Sequence, residues 1–166
     1  MNLQKRSTAT IFCTLTEPDV NTDHNESEKI ELIVKVHRCS KLDMLTKNKL
    51  SPSSYVTYEF YDFYPASTEV VHKNANPEFN STKVWTLSNG PELIAYLRVA
   101  EICFAIMEEE LNEKHSNKQL GYVIIPLYPL SHNNPIIGTF LITAVFIIYF
   151  SFGLSSSLYG YSCFKF

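Results

Sequence analysis

Hydrophobic and polar residues alternate with a period near two over several short runs of this chain, which predicts strands rather than helices. In residues 30–39, Ile30, Leu32, Val34 and Val36 alternate with Glu31, Ile33, Lys35 and His37, the pattern of a half-buried strand. Residues 55–63, YVTYEFYDF, are rich in aromatic and β-branched side chains and make the strongest strand signal in the chain. Shorter strands are expected at 67–73 (STEVVHK), 82–87 (TKVWTL), 99–107 and 120–127 (LGYVIIPL). Between them lie a long polar loop from Ser40 to Ser54, a turn at Asn74-Ala75-Asn76-Pro77, and an acidic loop from Glu108 to Gln119. Pro91 to Tyr96 is compatible with one helical turn. Runs of this length with a single weak helix predict an all-β antiparallel sandwich.

The stretch from Glu17 to Lys29, EPDVNTDHNESEK, has the composition of a solvated linker, so the ordered domain is expected to begin after it. Residues 1–29 are accordingly read as a polar N-terminal segment. Their apolar run is too short for a signal-peptide core.

Charge and cysteine content narrow the function classes. With 14 basic and 17 acidic residues and a net charge of −3, the chain lacks the positive footprint that releases counterions from nucleic acid. The four cysteines, Cys13, Cys39, Cys103 and Cys163, form no C-x-x-C pair and read as reduced thiols of a cytoplasmic protein. Five histidines without metal spacing, and no Gly-rich phosphate loop or nucleophile elbow, give no support to catalysis or to a cofactor.

Three segments in order carry a family resemblance: strand, long loop and strand from Ile30 to Phe60; Asn76-Pro77-Glu78-Phe79-Asn80; and Leu120-Gly121-Tyr122-Val123-Ile124-Ile125-Pro126-Leu127. Together they resemble C2 domains, which implies an eight-stranded C2-type antiparallel β-sandwich over residues 30–143. The run from Tyr55 to Phe63, with Tyr96-Leu97 and Gly138-Thr139-Phe140, is more specifically similar to C2 domains of the retinitis pigmentosa GTPase regulator-interacting protein and fantom family. These are ciliary transition-zone scaffolds, far longer than this chain. The resemblance implies a non-catalytic module for protein scaffolding at the transition zone or basal body, with partners such as nephrocystin-4. Tyr61, Phe63, Tyr64 and Pro65 follow the strongest strand and are the candidate partner-binding residues, set against simple core or loop packing.

Calcium-binding C2 domains cluster aspartates on two loops, because the ion takes six to eight oxygens. Here Asp43, Glu108 and Glu110 are the weak candidates. Ser53-Ser54 stands where that family carries an aspartate before the tyrosine, and glutamates replace the later aspartates, so no metal is expected. Binding of anionic lipid through a basic face is disfavoured as well, since His72 and Lys73 are accompanied by Glu59, Asp62 and Glu69.

No Lys, Arg, Asp or Glu occurs between Lys118 and Lys165, and residues 136–158 are 23 uncharged positions, long enough to span a bilayer as a helix. The C2 resemblance instead assigns Gly138 to Thr143 to the penultimate strand. Residues 144–166 are then an apolar tail that is a surrogate last strand, a membrane anchor or an aberrant end. The anchor reading makes a tail-anchored or peripheral membrane-binding C2 protein the alternative function.

Overall fold

The computed structural model describes residues 6–17, 29–109 and 117–145. Two antiparallel sheets face one another. The first contains β1 (Thr8–Thr16), β2 (Lys29–Ser40), β5 (Glu78–Ser88) and β8 (Ile136–Leu141), in the order β5-β2-β1-β8. The second contains β3 (Ser54–Tyr58), β4 (Ala66–Ser67), β6 (Glu101–Glu108), β7 (Lys118–Pro126) and β9 (Thr143–Ala144), in the order β4-β3-β6-β7-β9. A helix, α1 (Pro91–Val99), joins β5 to β6. The all-β antiparallel sandwich expected from the alternation is therefore present. It has nine strands among the described residues, two of them only two residues long.

Alternation explains the core. Ile30, Leu32, Val34 and Val36 of β2 point inward against Val56 and Tyr58 of β3, Trp85 and Leu87 of β5, and Ile102, Phe104 and Ile106 of β6, all buried. Each such side chain removed from water contributes about 1.5–3 kcal/mol. The β2 pairings with β1 and β5 both shift register around His37, so inward phase resumes at Cys39 rather than at Arg38. Asn80 takes a left-handed backbone at this irregularity (φ 48°), and its Oδ1 lies 2.6 Å from His37 Nδ1. Asn76 and Pro77, expected in a turn, clasp the loop after β2: Lys41 N–H donates to Asn76 Oδ1 (3.0 Å) and Cys39 N–H to the Pro77 carbonyl (3.0 Å).

Several expectations change. The ordered sheet starts before residue 30, because Thr8–Thr16 pairs with β2 on one side and β8 on the other. Its inward set is Ala9, Ile11 and Cys13, and its alternate positions are mostly threonines, suited to a strand but faint as a hydrophobic signal. The stretch 55–63 is strand only to Tyr58. Of 67–73, Ser67 alone belongs to a strand, with one isolated bridge from Val71 to Ser54. The helical turn at Pro91 is a nine-residue helix with proline at its start and Leu93 and Leu97 on its buried face. Cys13 and Cys39 are free and buried, as the reading of reduced thiols expects for these two. Cys163 lies outside the described residues.

The uncharged run 136–158 is not one helix. Ile136–Leu141 pairs with β1 as β8, and Thr143–Ala144 pairs with β7, so its first nine residues cross from one sheet to the other. Val145 N–H donates to the Leu120 carbonyl at 3.1 Å, which continues that pairing. The chain passes directly over Gly121, where a Cβ would lie 2.5 Å from Ile142 Cγ2 and 2.7 Å from the Thr143 carbonyl oxygen. Glycine in the Leu120-Gly121 pair is thus a requirement of close approach. Among the described residues no helix is long and apolar enough to cross a membrane. The rest of the tail, residues 146–166, is outside the described residues.

Candidate interaction surface

The connection between β3 and β4, residues 59–65, builds an aromatic tip at one end of the sandwich. Strand alternation carries Tyr58 and then Phe60 inward, both buried. The chain next turns on Tyr61, whose backbone is left-handed (φ 52°), and Phe63 N–H donates to the Phe60 carbonyl at 3.2 Å. A bulky residue in that conformation costs about 1–3 kcal/mol and persists only where surrounding structure holds it. Rings supply the hold. Phe60 lies 5.3 Å from Trp85, 5.8 Å from Tyr96 and 6.2 Å from Phe63, the last nearly parallel at 11°. Tyr61 stands at 88° to Tyr96 with centroids 4.8 Å apart, and its N–H donates to the Tyr96 hydroxyl at 3.3 Å. Such pairs contribute about 0.5–1.5 kcal/mol each beyond burial.

All four sequence candidates are exposed together on this tip. Tyr64 is 93% exposed, Tyr61 50% and Phe63 37%, and Pro65 is exposed beside them. They are not equivalent. Phe63 also packs 6.1 Å from Trp85, so it is partly a structural residue, as the packing alternative expects, while Tyr64 has no aromatic contact of that kind among the described residues. Sequence reasoning missed the supporting rings of Trp85 and Tyr96. The available signal was the helical spacing of Leu93 and Leu97, which turns Tyr96 toward the flank of the core.

Electrostatics at the tip are acidic. Glu59 and Asp62 are exposed, and between Lys49 and His72 the chain carries Glu59, Asp62 and Glu69 but no Lys or Arg. Burial pushes the Tyr96 hydroxyl pKa up, the hydrogen bond from Tyr61 N–H opposes that, and the Asp62 carboxylate raises it further.

The opposite end of the sandwich gathers the loops after β2, before β5 and after β6. Ser54 pairs with Glu108 there, and Glu109 N–H donates to the Ser53 carbonyl at 2.8 Å. Asp43 sits in a short 3-10 turn, Leu42–Leu45, and joins no carboxylate cluster among the described residues. Glu108 is ion-paired with Lys118 at 3.3 Å, and Glu109 faces His72 at 3.8 Å. Glu110 lies outside the described residues, and among those described no group of three or more His, Cys, Asp or Glu side chains could hold a metal. A separate cavity of about 250 Å³ lies under α1, floored by Leu15, Ile30, Leu93 and Leu130 and rimmed by Ser131 and His132.

Residues 30–142 match the family model described as C2 domain. The chain belongs to the C2 domain family. Within that family it is similar to the X-linked retinitis pigmentosa GTPase regulator-interacting protein 1 of Bos taurus, 32% identical over 127 residues that make up 76% of this chain and 10% of that protein. The Mus musculus counterpart is 31% identical over 113 residues, 68% of this chain and 8% of its length. The C2 chain thus spans about a tenth of the length of the curated relatives it matches. Among solved structures, the crystal structure of a C2 domain of RIM from Drosophila superposes with a TM-score of 0.61 at 12% identity, covering 83% of this chain and 98% of that one. The solution structure of the third C2 domain of KIAA1228 protein gives 0.54 at 17% identity, covering 91% and 93%. At those identities the likeness concerns the C2 fold alone.

Proposed function

We propose that this C2 domain is a non-catalytic, calcium-independent interaction module that docks a protein partner through its aromatic tip. The observation that carries the reading is the pairing of Tyr64, almost wholly exposed, with a tip whose other rings are already packed on Phe60, Trp85 and Tyr96. Rigid, exposed aromatics lose little conformational entropy on binding and dominate interface energetics. The pairing of Glu108 with Lys118, and serine rather than aspartate at 53 and 54, support independence from calcium.

Similarity to the retinitis pigmentosa GTPase regulator-interacting proteins supports placing the module at the ciliary transition zone or basal body, with nephrocystin-4 as the first partner to test. The test is calorimetric titration of the 166-residue chain with nephrocystin-4, in chelator and in millimolar calcium. Tyr64→Ala is expected to weaken binding about tenfold or more, with calcium without effect. Equal affinity of the Tyr64→Ala protein would remove the tip from the site, and affinity that appears only with calcium would remove calcium independence.

A further inference from the structure

We propose that the right-angled Tyr61 and Tyr96 rings, flanked by Asp62 and Glu92, form a receptor for a guanidinium group, so that the segment docking at the tip carries arginine. This inference rests on the docking reading above and specifies its chemistry. The edge-on contact of the two rings, 4.8 Å apart, holds Tyr61 in place, and half-exposed Tyr61 keeps ring surface open beside it. A cation within about 6 Å of a ring centroid is drawn to the electron-rich face. Tyr61 keeps half of its surface open to receive it, on a backbone conformation fixed by the Tyr96 hydroxyl.

The charged residues next to the two rings in sequence are mostly acidic. Asp62 follows Tyr61 directly, and Glu59 precedes it by two positions. Glu92 is exposed one helical turn before Tyr96 and so shares its face of α1. The nearest cation in the sequence of that helix, Arg98, is two positions after Tyr96, which places it more than half a turn around the axis. An apolar ligand alone would gain nothing from these carboxylates. A guanidinium stacks on an aromatic face, pairs bidentately with a carboxylate, and is less strongly hydrated than an ammonium, so arginine fits this corner better than lysine.

The test uses the full chain and three blocked peptides of alternating glycine with arginine, citrulline or glutamate, followed by two-dimensional NMR. Citrulline keeps the shape of arginine without its charge. The arginine peptide is expected to shift Tyr61, Asp62 and Tyr96 resonances, with the citrulline peptide at least about fivefold weaker. Asp62→Asn is expected to weaken arginine binding about threefold while leaving the rest of the spectrum in place. Equal shifts from the arginine and citrulline peptides would overturn the guanidinium receptor and leave the tip as an apolar docking surface. Arginine shifts confined to Glu108 and Glu109, or none at all, would also overturn it, while the Tyr64→Ala titration judges the docking reading separately.

Discussion

Replacing Gly121 with alanine tests how the chain crosses from the first sheet to the second. In the interior of an ordinary strand this change stabilises by about 0.5–1 kcal/mol, because glycine has more freedom to lose on folding. Here the added methyl would meet Ile142 Cγ2 at 2.5 Å and the Thr143 carbonyl oxygen at 2.7 Å. The Ile142 side chain can rotate away, but the Thr143 carbonyl is backbone and moves only with β9. Overpacking of this kind costs about 1–3 kcal/mol, which reverses the sign expected for an open strand position. Urea unfolding followed by Trp85, the single tryptophan and a buried one, reads the change directly. Each kcal/mol lost should also lower Tm by about 2–4 °C in a chain of this size. Adding Ile142→Ala should restore part of the stability and no more, since the carbonyl contact remains. An unchanged or raised midpoint for Gly121→Ala would refute the close crossing, and with it the pairing of Gly121 with Ala144.

Other consequences are as specific. Phe63→Ala should cost about 1–2 kcal/mol by denaturant titration, because it removes ring contacts to Phe60 and Trp85, while Tyr64→Ala should stay within about 0.5 kcal/mol of the parent. The hydroxyl of Ser54 is fully buried with no hydrogen-bond partner among the described residues, so Ser54→Ala should raise stability by about 1 kcal/mol. Burial pushes the Cys13 and Cys39 thiols from 9.0 to about 12. Because the folded values are raised, the unfolded chain releases these protons first, so the thiols' contribution to stability is constant below pH 9 and falls between pH 9 and about 12. Alkaline stability curves would contradict this if stability rose across that window.

Much of the sandwich was legible because its inward residues are large. Ile30, Leu32, Val34 and Val36 announce β2, and Tyr58 and Phe60 keep the same phase even where the strand has ended and the tip begins. The first strand was not legible. Its inward side chains include small Ala9 and Cys13, and the acidic run after it looks like the edge of a domain. Residues 136–144 carry the opposite ambiguity: a charge-free run satisfies the rule for a spanning helix, the C2 resemblance assigns Gly138 to Thr143 to a strand, and the pairing partners Thr8–Cys13 and Gly121–Tyr122 decide for the strand. The exposed tyrosines and phenylalanine of the tip could be named from their position after a strand. Their support could not, since the hydrogen bond from Tyr61 to Tyr96 spans 35 residues and depends on how α1 docks.

The most direct measurement is an NMR map of the labelled chain as unlabelled nephrocystin-4 is added. Resonances of residues 59–65 and Tyr96 should move first and most, while those of Asp43, His72 and Glu108 at the other end stay in place. Movement confined to that other end, with the aromatic tip unchanged, would contradict docking at the tip.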